Sequence, residues 1–126
     1  MTRQELDKLI VDTYAVSAEY PWGSAPTYAV YRHENNKKWF AVIMDISHRK
    51  LGQKNDEIIS VVNLKIETSL IGQLLGNDGI FPAYHMNKNH WISVELTDKT
   101  TAEQLSWLLE MSYDNTNAKI KNNNDA

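Results

Sequence analysis

At 126 residues, with 42% hydrophobic and 10% aromatic content, the chain has apolar surface for one core and is read as a single domain. With 23% charged residues and no apolar run near the roughly 20 residues that cross a bilayer, a membrane-spanning segment is excluded, and the opening MTRQELDKLI is too polar for a secretory signal. The lack of cysteine removes disulfides, thiolate zinc sites and cysteine nucleophiles, which places the chain in a reducing compartment, the cytoplasm. A net charge of −3 does not mark a nucleic-acid binder, so any affinity for phosphate has to come from local charge.

In chain order, Thr2 with Glu5 forms a capping box, and Leu6, Leu9, Ile10 and Thr13 follow a helical period to about Val16. Glu19 to Thr27 carries two prolines and a glycine and reads as an ordered loop with Tyr20 and Trp22 buried or half-buried. Tyr28–Glu34 and Lys38–Ile46 read as a hairpin, with Asn35-Asn36 taking the positive φ of a tight turn. A third strand spans Ile58–Ile66. A short helix capped by Thr68 or Ser69 follows through Leu75, closed by Gly76 in the left-handed position. Ile80–His85 and His90–Leu96 form a second hairpin around Met86–Asn89. Thr100 with Glu103 caps a last helix whose stripe is Leu105, Leu108, Leu109 and Ser112. The domain spans residues 1–113; the polar tail, 114–126, is expected to be disordered. The order α-β-β-β-α-β-β-α predicts an α+β fold, a mostly antiparallel sheet with helices packed on one face.

Strand alternation predicts what each face carries. Phe40, Val42, Met44 and Ile46 are expected toward the helices, with Trp39 and Asp45 outward. Ile58, Ser60, Val62, Leu64 and Ile66 point inward, leaving Val61, Asn63 and Lys65 outside. In the last strand Ile92, Val94 and Leu96 point in and Trp91, Ser93 and Glu95 out. The open face then carries Trp39 and Trp91 beside Lys65 and Asn63, either as a recognition surface or as ordinary cross-strand packing.

Charge is uneven. From Arg32 to Lys54, six cations meet two carboxylates, a local +4 that leaves −7 for the rest. This island is either a pair of solvated loops or an anion-facing wing. Lys37 and Lys38 precede the strand Lys38–Ile46 while Arg49 and Lys50 follow it, about 25–30 Å away at 3.3 Å per residue, so two patches are possible.

The run Phe81-Pro82-Ala83-Tyr84-His85-Met86-Asn87-Lys88-Asn89-His90-Trp91-Ile92-Ser93-Val94 resembles the signature hairpin of the MmcQ/YjbR family, which has a frataxin-like (CyaY-like) fold. Tyr20-Pro21-Trp22-Gly23, Lys38-Trp39-Phe40-Ala41, Asn63-Leu64-Lys65 and Ser112-Tyr113 extend the resemblance to about Tyr113. Ile66-Glu67-Thr68 departs from it, standing where a cysteine and proline are often found. The resemblance implies DNA binding through two hairpin wings and no established catalytic activity. By motif match it points to Lys38 and Trp39 on one wing and His85, Asn87, Lys88, His90 and Trp91 on the other. Arg32, Lys37, Arg49, Lys50 and Lys65 would add phosphate contacts.

Catalytic and metal readings find little support. His85 and His90 flank a four-residue loop without a third ligand, and hydrogen bonding that anchors the hairpin explains them as well. Glu5, Asp7 and Asp12, interrupted by Lys8, make a thin acidic ridge for iron. No nucleophile elbow or glycine-rich phosphate loop is present. The expectation is a monomeric, non-enzymatic protein without cofactor that contacts double-stranded DNA. The alternative is a protein- or small-ligand-interaction module on the open sheet face, with Trp39 and Trp91 as anchors.

Overall fold

A computed structural model describes residues 1–117. The elements are α1 (Arg3–Tyr14), β1 (Ala29–Arg32), β2 (Trp39–Ser47), a single 3-10 turn (His48–Leu51), β3 (Ile58–Lys65), α2 (Thr68–Leu74), β4 (Ile80–Pro82), β5 (Trp91–Glu95) and α3 (Ala102–Thr116). The order matches the sequence reading. The five strands form one antiparallel sheet in the order β1-β2-β3-β5-β4, so each hairpin occupies one edge and β3 lies between them.

Leu6 and Ile10 of α1, Ile71 and Leu74 of α2, and Leu105, Leu108 and Leu109 of α3 bury against one face of the sheet, so the helices do pack on one side. β3 and β5 present the expected residues to them: Val62, Leu64, Ile92 and Val94. Ile58, at the start of β3, is instead 66% exposed.

β2 departs from its predicted register. Arg32 pairs with Trp39 but Tyr31 with Ala41, so Phe40 is an extra residue in the ladder, a β-bulge. Phe40 and Ala41 both face the helices and the pleat then shifts by one. Ile43 points to the helices, while Val42, Met44 and Ile46 pack on the opposite face. Asp45, expected outward, lies on the helix side, where Arg3 of α1 reaches it at 2.9 Å and the Ser60 hydroxyl donates to it. The bulge frees the Phe40 carbonyl from the ladder, and the buried Ser112 hydroxyl of α3 donates to it at 2.6 Å while accepting from the Lys65 amide at 2.8 Å. One serine thus ties α3 to the ends of two strands.

The second face is not open. Val42, Met44, Ile46, Ile59 and Val61 are buried there under Trp22, Tyr28, Trp39, Leu51 and Tyr84, because the 19–27 loop folds across the sheet. Glu19 anchors that loop by exchanging two backbone hydrogen bonds with Val30. Trp22 is half-buried as expected, but Tyr20 is 59% exposed.

Helix ends differ locally. The Thr2–Glu5 capping box forms, and α1 stops at Tyr14 because Ala15 turns left-handed (φ 56°). Neither Thr68 nor Ser69 caps α2. Its N-cap is Glu67 without a side-chain bond, and the Thr68 hydroxyl instead donates to the Asn89 carbonyl of the second hairpin. Gly76 does not take the left-handed role. The α3 cap is Thr101, accepting from the Gln104 amide, while Thr100 is buried. In the first hairpin Lys37 (φ 63°) takes the positive φ rather than Asn35 or Asn36, and the Asn36 side chain accepts from the Lys38 amide and donates to the Thr116 carbonyl.

Residues 114–116, assigned to a disordered tail, complete α3. Thr116 is buried, and the Asn115 side chain donates to the Lys65 carbonyl. Asn117 is the α3 C-cap, and residues 118–126 of that tail lie outside the described residues.

The buried His33 links the first hairpin to α3. The Thr116 hydroxyl donates to the Ser112 carbonyl, so it accepts from His33 Nε2–H at 2.8 Å, and Phe40 and Tyr113 flank the imidazole. Burial pushes the imidazole below its ordinary 6.5. The folded state therefore favours neutral His33, a contribution complete above the unfolded pKa and lost as pH falls through the lower folded one. The wild-type advantage over His33→Gln in urea-unfolding midpoint is expected to shrink as pH drops below about 6.5. A constant difference would contradict this protonation state.

Candidate functional site

Both hairpins turn at the same end of the sheet. Lys65, the last residue of β3, pairs with Trp91, the first of β5, and the preceding Leu64 pairs with Ala41 near the start of β2. β2 and β5 flank β3, so the two turns emerge about 10 Å apart at ordinary strand spacing. Lys37, Lys38, Trp39, Lys65, Trp91 and Thr116 line one shallow groove there. Lys88 sits exposed in the other turn. Trp39 and Trp91 are half-buried rather than fully exposed.

The cations fall into two groups. Lys37, Lys38, Lys65 and Lys88 form no ion pair among the described residues, whereas Arg32 Nε lies 3.2 Å from Glu19 and Arg49 Nε 2.7 Å from Asp56. Arg32 also lies over the Trp39 ring, 5.8 Å from its centroid, so it braces the indole. Arg49 and Lys50 follow β2 in the 3-10 turn, at the far end of that strand. The basic island is therefore two patches, and only the Lys37–Lys38 part joins Lys65 and Lys88.

The remaining candidates have distinct surroundings. Asn87 organises its own turn, its side chain accepting from the Asn89 amide and its carbonyl from the His90 and Trp91 amides. The His90 ring meets the Thr68 hydroxyl at 3.1 Å, which ties the hairpin to α2. His85 does not share that role: it is exposed, left-handed (φ 60°) and packed on Tyr84 at 3.9 Å. Among the described residues, Lys37 and His85 are two of three non-glycine positions with positive φ, and both sit in the turns flanking this end.

Two features escaped the sequence reading. The first is a half-open hollow of about 470 Å³ on the second sheet face, walled by Trp22, Tyr28, Trp39, Tyr84, His85 and Met86. The aromatic content of Tyr20–Tyr28 was the available signal. The second lies at the opposite end of the sheet, where His48 Nε2 meets the buried Glu95 carboxylate at 2.5 Å and His48 Nδ1 meets Asn55 Oδ1 at 3.0 Å. No helix among the described residues is long and apolar enough to cross a membrane.

Comparison with known proteins agrees with this architecture. The chain is 36% identical over 113 residues to the uncharacterized protein YyaQ of Bacillus subtilis (strain 168), covering 90% of this chain and 96% of that one. A crystal structure of a Pseudomonas syringae protein superposes with a TM-score of 0.91 at 40% identity, covering 93% of this chain and all (100%) of the other. The Deinococcus radiodurans protein DR2400, with a DUF419 domain, shares the fold at a TM-score of 0.71 and 21% identity, over 98% of this chain and 84% of that one. The YjbR family model matches residues 4–115, so the chain belongs to the YjbR family.

Proposed function

We propose that this protein binds nucleic acid through its phosphate backbone, across the end of the sheet where both hairpins turn. Lys37, Lys38, Lys65 and Lys88 are the phosphate contacts in this reading. The observation that carries it is that these four ammonium groups, drawn from both hairpins and the central strand, share one end without a carboxylate partner among the described residues. Unpaired lysines attract a polyanion regardless of base order, so the binding has little sequence selectivity. Arg32 and Arg49, each facing a carboxylate, contribute less. The role is a binding one without catalysis, performed by a monomer in the cytoplasm. The second reading, a ligand-interaction surface on the sheet, draws on one observation, the aromatic hollow beside Trp39.

An NMR titration with a short oligonucleotide at low and moderate salt tests the assignment. Amide shifts are expected to cluster on Glu34–Trp39, Lys65 and Met86–Trp91 and to fade as salt rises. Shifts centred on His48–Asp56, or shifts indifferent to salt, would contradict it.

A further inference from the structure

The aromatic hollow adjoins the lysine groove, and Trp39 lines both. We propose that it receives an unstacked nucleobase, so that the preferred ligand is single-stranded nucleic acid rather than duplex. This inference rests on the lysine reading and names its substrate class.

The lining argues for a flat, anion-bearing guest. Trp22 meets Trp39 at 5.5 Å and 87° and Tyr28 at 6.2 Å and 80°, edge to face, so the rings do not close the hollow by stacking on one another. Among the described residues no aspartate or glutamate lines it, and the exposed Lys38 is the chain neighbour of Trp39, with Cα atoms about 3.8 Å apart. Every base offers a π-face to such walls, and a phosphodiester leaving the hollow past Trp39 meets the lysines directly. A paired base keeps both faces in its own stack and would first have to be extruded.

The hollow is also pre-shaped. Val42 and Met44 form a buried floor. Asn63, buried beneath, donates to the Tyr84 carbonyl at 2.9 Å and accepts from the Ser93 hydroxyl at 2.5 Å, while the Tyr84 amide donates to Ser93 Oγ at 3.0 Å. This closed ring of bonds fixes the Tyr84–His85 wall before any ligand arrives, which reduces the ordering cost of binding.

The test compares end-labelled oligothymidylate of about ten nucleotides with an abasic phosphodiester of the same length, by fluorescence anisotropy with the full chain. Thymidylate is expected to bind at least roughly tenfold more tightly and to quench tryptophan emission. Trp22→Ala is expected to remove that advantage while leaving affinity for the abasic strand unchanged. Equal, salt-dependent binding of both strands would overturn the nucleobase site yet leave the lysine contacts standing. A duplex bound more tightly than the single strand, or thymidine monophosphate bound as tightly as the oligomer, would also overturn it. No binding by any strand at low salt would sink both readings. The abasic comparison uses the wild-type chain and so stands even if Trp22→Ala does not fold.

Discussion

Glu95→Ala is expected to lower folding stability by about 2–3 kcal/mol, the cost of leaving buried hydrogen-bonding groups without their partner. Glu95 is 1% exposed and its Oε1 lies 2.5 Å from His48 Nε2. The other ring nitrogen faces Asn55 Oδ1, identified as the oxygen because the Glu57 amide also donates to it. Both ring nitrogens of His48 therefore have an oxygen partner, so the ring is held in one orientation. Thr97 Oγ1 donates to the remaining Glu95 oxygen, and Lys99 Nζ lies 3.8 Å away. Removing the carboxylate leaves the His48 ring and the Thr97 hydroxyl without this acceptor. Glu95→Gln, which retains an acceptor, is expected to cost less, about 1–2 kcal/mol. Urea unfolding with an unchanged m-value measures both. A loss under about 1 kcal/mol for Glu95→Ala would show that these buried contacts carry little of the fold's stability. Because the pair sits at the opposite end of the sheet from the lysines, nucleic-acid affinity of the folded variant should not change.

That pair was hidden in the sequence for a definite reason. Alternation places Glu95 on the face away from the helices, correctly, but it does not show that the turn after β2 brings His48 onto the carboxylate. His48 lay in a polar stretch that gave no period at all. Element order was legible because helical stripes and strand alternation differ in period wherever polar residues interrupt the apolar ones, as in β3 and β5. β2 is apolar from Trp39 to Met44, so its pattern carries no phase, and the bulge at Phe40 set it instead. Asp45, the charged residue of the strand, pointed the wrong way, because a partly buried carboxylate with Arg3 beside it can face the helices.

Of the site, the neighbourhood of Trp39, Lys65 and Trp91 followed from strand registers, and the division of the basic island followed from strand length. Which cations are neutralised did not. Glu19 reaches Arg32 only through a backbone bridge between a loop and an edge strand, and local sequence does not encode that pairing.

Reversing Lys37, Lys38 and Lys88 together to glutamate is expected to weaken binding on the order of a hundredfold near 0.1 M salt, alike for all sequences. Three attractive contacts become repulsive, and Lys65 alone remains. All three side chains are exposed, so the fold should be unaffected. Arg49→Glu is the control, since Arg49 faces Asp56 at the far end of β2.

The most direct measurement is the slope of log affinity against log salt for the wild type and the triple variant. Four phosphate contacts predict a wild-type slope of about −3 to −4, falling toward about −1 in the variant and unchanged in Arg49→Glu. A wild-type slope near zero, or a triple variant that binds like the wild type, would contradict a phosphate-binding sheet end.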